Sequence, residues 1–576
     1  MAEEQRGGVN INTRKQDDKQ EDVKNIVLSP STAATAPPAA PPSEEIIEHG
    51  VKINVKGTVQ APKKHEVMYN SEMMLNRSVV LCALAAYSES GQCINGQVRC
   101  LDALGATGVA GLAWARQVPK VSVVINDQLQ AATQRIKENA ASNNLEVEVT
   151  TEDVSVLLHQ RPFDFVFLDC YGSSVPYLDA AFRNIPKHGL LAVTSTDDAA
   201  LYGKATDVTL RNYGGYIVKT SYAKELAARL VLASVIRAAA KCNKGVEVVC
   251  CVALKSFITV VVRVLRGPSA ANKCVRKVRR IIHCCLCEDR AFYPQTVYPI
   301  EQPYSLLSCG CRSKSAGKVA VELGPVWCDE IFDPCFCQGM LTQANNLQLS
   351  HKVIALLQTV VGEAGCRDHP STDVNLDKEN TLTEGTEDTA LVPEEEEEEE
   401  ELHGQSYHSL PQSYQSLDDP DIERSPKRLK VDHPVLRSPP FYFNLHRHSP
   451  KGHDLGKINR IVEHLRRAKH KASRTHFDPE AIRTNCTLAE FTSLLVEFSR
   501  AQKTFGPFPY LLMQAVTAIL VNYQTKTSKQ RREQCTLGHN TKLAPKWEIT
   551  SCTLTKYIYV DVGVVVQMLQ RTSGSM

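Results

Sequence analysis

No uninterrupted apolar stretch among the 576 residues reaches the roughly 20 needed to cross a bilayer, so no transmembrane helix is expected. The opening MAEEQRGG also lacks the basic-then-apolar plan of a signal peptide, which points to a soluble, unsecreted chain. Internal repeats of fixed period are missing, and with them the solenoid and propeller architectures. A strong net charge is missing as well, but the formal +2 averages an acidic run, Glu394 to Glu401, against basic stretches elsewhere. What is plentiful is cysteine. Twenty of them in a small secreted chain would read as a disulfide scaffold, whereas in a long unsecreted one they read as buried thiols and metal ligands.

With an ordinary apolar share of 43%, the length allows two or three domains with sizeable cores. Residues 1–60 are charged and polar and then run into STAATAPPAAPPSEE, too poor in large apolar groups to offset ordering entropy, so disorder is expected there. From residue 61 to 280 short β-branched runs alternate with helical stretches: VRCLDAL, VSVVIND, FDFVFLDC, GLLAVTST, VEVVCCVAL and FITVVVRVL. That alternation predicts an α/β fold with a parallel, doubly wound sheet. Residues 281–340 are rich in Cys, Gly and Pro and read as an insertion held by metal; 341–365 read as helical. An acidic, polar linker is expected over 366–438, a smaller α+β C-terminal domain over 439–495, and a divergent tail over 496–576 for which the sequence offers no account.

The first strand of the alternating region ends in Asp102 and runs into Gly105-Ala106-Thr107-Gly108 before a helix-like stretch. Two close glycines let the backbone turn sharply and approach a ligand, as in the first βα turn of nucleotide-binding sheets. The second strand ends in Asp127, about 20 residues on, where such sheets place an acid for ribose hydroxyls. Asp153, at the end of a third predicted strand, suits the adenine amine, with the backbone of Val154 beside it. Taken singly each Asp reads as a solvated surface acid. Together they lie at successive strand ends, and ligands bind outside the carboxyl ends of these sheets.

Cys284-x-x-Cys287 and Cys309-x-Cys311 form two close cysteine pairs. Such pairs fit a structural zinc site with four thiolate ligands, although the second pair has one intervening residue rather than two. Cys285, Cys328, Cys335 and Cys337 lie nearby and are read as packing thiols or alternate ligands. Farther on, KINRIVEHLRRAKHKASRTHF concentrates Lys, Arg and His with few acids, as a phosphate-tracking face would, and makes Arg474 and His476 candidate RNA contacts. SPKRLKVD, with Lys427, Arg428 and Lys430, is a short basic run of the kind imported into nuclei.

The fourth strand, FDFVFLD, leads into Asp169-Cys170-Tyr171-Gly172-Ser173-Ser174-Val175-Pro176-Tyr177-Leu178-Asp179-Ala180-Ala181. This resembles the D-P-F-G-S-x-x-x-[FY]-L-D-x-A signature of the tRNA (guanine-N2)-dimethyltransferases, and it is nearest to vertebrate members. MYNSEMMLNRSVV, LLAVTSTDDAALYGK, YAKELAARLVLASVIRAAA, NKGVEV, LRGPSAA and RTHFDPEAIRT agree in order. The resemblance covers roughly residues 65–340 and 440–490. It implies a Rossmann-like methyltransferase domain using S-adenosyl-L-methionine, a zinc-bearing insertion, and tRNA as partner, with no membrane, no DNA and a nuclear or nucleolar address. It further implies that Arg77 reaches the cofactor carboxylate, that Asp127, Asp153 and Val154 line the ribose and adenine, and that Asp169 holds the guanine amine. Tyr171 is then a platform for an extruded base.

Two positions depart from the family. Cys170 stands where it has Pro, which would fix φ beside the acid, and Ala110 stands where it has a cofactor-contacting Arg. Two rivals therefore stay open: a tRNA-binding helper that has lost methyl transfer, and a methyltransferase acting on adenine or protein amines.

Overall fold

Val51–Val55 alternates apolar and polar side chains and follows Glu44–Glu48 across His49-Gly50, both at positive φ (49° and 76°). Two such residues make the tight turn whose twist suits a two-residue hairpin, and the strands pair antiparallel as β1 and β2. The expectation of disorder through residue 60 is corrected over this stretch: Val51 and Ile53 are fully buried and supply the apolar contact that composition alone did not reveal. The structure is a computed structural model describing residues 44–55, 69–91, 96–295, 300–366, 440–450 and 455–505. Residues 1–43, the acidic linker with its basic run at Lys427, Arg428 and Lys430, and the tail beyond 505 lie outside the described residues.

The chain divides into two units, residues 1–442 with Thr475–Pro479, and the remainder from Phe443 onward. In the first, α1 (Met74–Glu89) precedes β3 (Val98–Asp102), α2 (Val109–Gln117), β4 (Val121–Asn126), α3 (Gln130–Ser142), β5 (Glu148–Thr150), α4 (Val154–Gln160), β6 (Phe165–Asp169), α5 (Val175–Asn184) and β7 (Leu190–Ser195). Then come α6 (Asp198–Leu201), α7 (Thr206–Tyr213), α8 (Ala223–Lys241), β8 (Lys244–Ala253) and β9 (Ile258–Arg266). These strands form one seven-stranded sheet in the order β5-β4-β3-β6-β7-β9-β8. The fold class is a Rossmann-like α/β sheet, but it is mixed rather than wholly parallel: β9 runs antiparallel to both β7 and β8. The physical reason is the short link from Leu254 to Phe257, which closes a hairpin where a parallel return would need a crossover helix. The strands facing helices on both sides are almost continuously apolar, and Trp114 of α2 packs edge-on against Phe165 at 5.5 Å between ring centroids.

After α9 (Pro268–Val275) a second sheet forms from β10 (Val278–Cys284), β11 (Arg290–Phe292) and β12 (Ala320–Trp327), in the order β11-β10-β12, with the short helix α10 (Cys311–Lys314) between the last two. The insertion thus starts three residues before the expected 281 and its sheet ends at Trp327; by Pro334 the chain has begun α11 (Pro334–Asn346), followed by α12 (His351–Ala364). The second unit contains β13 (Phe443–Asn444), α13 (Leu445–His448), α14 (Ile458–Arg467), β14 (Ala472–Arg474), β15 (Ala481–Thr484) and α15 (Leu488–Phe505). Its three strands, in the order β13-β15-β14, pack with Ile461, Leu465, Ile482, Phe491 and Leu495 into a separate core. Helix α15 runs through the expected boundary at 495. No helix among the described residues is long and apolar enough to cross a membrane.

Candidate active site at the carboxyl edge of the sheet

Four neighbouring parallel strands end in register. Asp102 closes β3 opposite Ile125 of β4 and Phe167 of β6, so Asp127 and Asp169, each two residues farther along, emerge at the same edge. Asn126 lies opposite Thr150 of β5, which ends three residues before Asp153. Because the strand order reverses between β3 and β6, this edge is also the topological switch point, where the loops diverge and leave a crevice.

The glycine turn is built into this edge. Gly105 donates its N–H to Asn126 O at 2.7 Å, and a side chain there would collide with Ile125; Gly108 sits at φ 78°, in the left-handed region, with Ile136 closely over it. Asp127 accepts from Ala106 N–H at 3.0 Å and from Leu129 N–H at 2.9 Å. Each carboxylate oxygen keeps a second acceptor site, so the residue ties down the turn and can still meet hydroxyls. Asp153 is the N-cap of α4, accepting from Ser155 N–H at 2.8 Å, and is exposed; Val154 beside it is buried.

Asp102 is 2% exposed and accepts from Gly111 N–H at 3.0 Å. Burial pushes its carboxyl up to about 7, against the pull of the Gly111 N–H, and the charges of Asp169 and Asp127 add to the rise. Asp169 is likewise pushed up by burial, to about 6, with the charge of Arg77 working the other way. Arg77 itself is 7% exposed. Its Nε and Nη2 meet Glu48 Oε1 and Oε2, both at 2.6 Å, its Nη1 and Nη2 reach Asn70 O at 3.2 Å, and Tyr69 donates its hydroxyl to Glu48 at 2.8 Å. Burial works to raise the Glu48 carboxyl, but the hydrogen bonds and charge of Arg77 outweigh it and hold Glu48 below the usual carboxylate range. Sequence reasoning missed Glu48 entirely, although the alternation of Val51–Val55 just after His49-Gly50 was a usable strand signal.

Beyond Asp169 the chain turns through Cys170, which is 3% exposed, to Tyr171, which is 87% exposed, and Gly172 at φ 95°. Burial pushes the Cys170 thiol far up, and the carboxylates of Asp169 and Asp197 reinforce this, which makes it a poor nucleophile. Ala110, the other departure, is buried in α2.

Cys284, at the end of β10, Cys287 in the following turn, Cys309, and Cys311 at the start of α10 bring their sulfurs within 4.8 Å of one another. Asp289 joins the two arms by accepting from Ser308 Oγ at 3.0 Å and from Cys309 N–H at 2.8 Å. Four thiolates around a zinc ion at 2.3 Å would stand about 3.8 Å apart, so the donor set and spacing fit such an ion. Of the nearby cysteines, Cys328 and Cys337 are buried, while Cys285 and Cys335 are exposed.

The structure corrects the reading of His476 as an RNA contact. Its ring is buried: Nε2 accepts from Ala253 N–H at 3.3 Å, which leaves the proton on Nδ1, 2.5 Å from Glu363 Oε1. A ring sealed between a carboxylate and a strand end fixes the THFDP segment within the first unit. Arg474 belongs to the second unit and is exposed.

A family model for N2,N2-dimethylguanosine tRNA methyltransferases matches residues 50–372, more than half of the chain. The chain belongs to this family. Among family members, the tRNA (guanine(27)-N(2))-dimethyltransferase of Homo sapiens is 38% identical over 508 residues, covering 83% of this chain and 66% of that protein. The chain thus spans about two thirds of the length of that relative. The tRNA (guanine(26)-N(2))-dimethyltransferase of Methanosphaerula palustris is 31% identical over 289 residues, 50% of this chain and 72% of that protein. The structure of Trm1 from Pyrococcus horikoshii with S-adenosyl-L-methionine superposes with a TM-score of 0.54 at 20% identity, covering 78% of this chain and 99% of that one, a likeness of fold.

Proposed function

We propose that this chain transfers a methyl group from S-adenosyl-L-methionine to the exocyclic N2 amine of a guanine in tRNA, the modification for which its relatives are named. The observation that carries the reading is the set of carboxylates at one sheet edge, with Asp169 half-buried within the electrostatic reach of Arg77. The edge suits the methyl donor: several carboxylates, two of them pushed up by burial, face a glycine turn, and a cation relieves their mutual repulsion. When bound, S-adenosylmethionine supplies a sulfonium methyl, an electrophile whose carrier departs as a neutral thioether.

The chain's own residues handle the acceptor. The guanine amine is a weak nucleophile because its lone pair is delocalised into the ring, so holding it in near-attack geometry is the main task. Asp169, ionised at neutral pH, accepts an N2–H hydrogen bond and takes the proton released as nitrogen gains the methyl. Tyr171, exposed beside it, offers a stacking face for a base drawn out of the RNA. Arg474 and the basic α14 supply phosphate contacts, Cys284, Cys287, Cys309 and Cys311 hold a structural zinc ion, and a nuclear site of action rests on Lys427, Arg428 and Lys430.

The test is transfer of labelled methyl from the donor to unmodified tRNA, with Asp169→Ala as the comparison. Label at N2 of guanine in the wild type and its loss in the variant is the expected result. Counts at background from both proteins would favour a chain that holds tRNA without methylating it, equal counts above background would remove Asp169 from the chemistry, and equal labelling of DNA or protein would move the acceptor elsewhere.

A further inference from the structure

Between the buried Cys170 and Ser174, the tip of the loop that follows the acceptor acid has little packing of its own. Tyr171 projects into solvent, Gly172 has open space where a side chain would lie, and its φ of 95° is one that only glycine adopts at ease. Yet the proposed chemistry needs Asp169 and Tyr171 held within fractions of an ångström. The hold comes from the neighbouring strand end. Thr196, the first residue after β7, accepts the Gly172 N–H on its Oγ1 at 2.8 Å and returns its own N–H to Gly172 O at 2.9 Å. The Thr196 hydroxyl proton points back to Cys170 O, at a long 3.5 Å. One residue earlier, Ser195 Oγ pairs with Ser174 Oγ at 2.8 Å, closing the far end of the same loop.

We infer that Thr196 is the positioning residue of the acceptor loop: its hydroxyl and backbone fix Cys170 to Gly172 and thereby aim Asp169 and Tyr171 at the incoming base. The inference rests on the proposed methyl transfer to guanine. Thr196 touches neither donor nor acceptor in this role, so its effect is separable from binding of the donor, whose candidate residues lie on α1 and at or just beyond the ends of β3, β4 and β5.

The test compares Thr196→Val, which keeps the shape and loses the hydroxyl, with Thr196→Ser, which keeps the hydroxyl. In single-turnover methyl transfer the valine variant should slow the transfer step by about 10- to 100-fold, the range expected for small misplacement. Affinity for S-adenosylmethionine by calorimetry should be unchanged, and serine should restore the rate. Native-state hydrogen exchange at the Gly172 amide should quicken by about tenfold in the valine variant, as for one lost hydrogen bond. A valine variant at full rate, a serine variant as slow as valine, or unchanged Gly172 exchange would overturn the assignment. Should the valine variant melt early, Thr196→Ala is read by the same exchange measurement. A wild-type protein that methylates no tRNA would refute the enzymatic reading alone, because Gly172 exchange still reports whether Thr196 holds the loop.

Discussion

Replacing Asp102 by Asn should stabilise the protein at alkaline pH and do little at acid pH. Asp102 is almost fully buried, and its carboxyl stands at about 7 rather than the ordinary 3.8. The sign follows from linkage: with the folded value raised above the unfolded one, the folded state is favoured by protonation, and that contribution is complete below pH 4 and lost as pH rises through 7. A displacement of about three units, at 1.36 kcal/mol each, sets an upper bound of about 4 kcal/mol on the cost of the buried anion above pH 8. Asparagine removes the charge and its Oδ1 can still accept the Gly111 N–H, whose pull on the anion is already contained in that displacement, while the added buried amide N–H group costs about 1 kcal/mol. The net gain is about 2–3 kcal/mol at pH 8.5, read as a rise of a few degrees in Tm, and a change near zero or slightly negative at pH 5. Thermal melts of ligand-free wild type and Asp102→Asn protein from pH 4.5 to 8.5 measure it. A variant destabilised equally across that range would show that the carboxylate is not held at a cost, and the electrostatic account of this edge would fail.

Glu48→Ala leaves the Arg77 guanidinium buried without its bidentate partner, which should cost about 3–5 kcal/mol of stability and weaken donor binding; an unchanged melt would show that β1 and β2 are not part of the fold. Because Asp169 must be ionised to accept the amine proton, methyl transfer should fall as pH drops through about 6, and an activity plateau continuing to pH 5 would remove Asp169 from that role. Purified full-length protein should carry zinc in proportion to chain, and Cys284→Ser or strong chelation should release it together with part of the thermal transition; metal-free protein with an identical melt would refute the four-thiolate site.

The edge acids were legible in the sequence because each lies at the end of a short strand or within three residues of it, and parallel neighbours in register must bring their ends together whatever the loops do. The four cysteines were legible because thiolate ligands come in close pairs. Glu48 was not: it lies 29 residues before its partner Arg77, behind a Pro/Ala tract whose composition argued for disorder, and nothing local marks an ion pair between distant segments. The antiparallel β8 and β9 were hidden for a different reason. Strands covered on both faces read as continuous apolar runs in either direction, and only the shortness of the link at Leu254 to Phe257 carried the sign. His476 failed because a cluster of Lys, Arg and His describes composition, and the same imidazole that could face phosphate serves equally as a buried connector when a carboxylate such as Glu363 waits for it.

Arg77 does not neutralise the carboxyl edge, because Glu48 already matches its charge. Counting Arg77 as +1 and Glu48, Asp102, Asp127 and Asp169 as −1 each leaves −3 when all are ionised. A cationic ligand therefore does more for the folded state where these acids are charged than where protonation has silenced them. Ligand binding stabilises in proportion to the logarithm of its saturation, so the rise in Tm caused by a fixed excess of S-adenosylmethionine should grow between pH 5 and pH 8, and binding at pH 6 should release protons to the buffer. S-Adenosylhomocysteine, which lacks the methyl and with it the sulfonium charge but keeps the remaining groups, should show a smaller growth over the same range. Equal pH dependence for the two ligands would mean that the acids organise the glycine turn and hydroxyl contacts without acting on the charge of the donor, and the argument from repulsion would have to be given up.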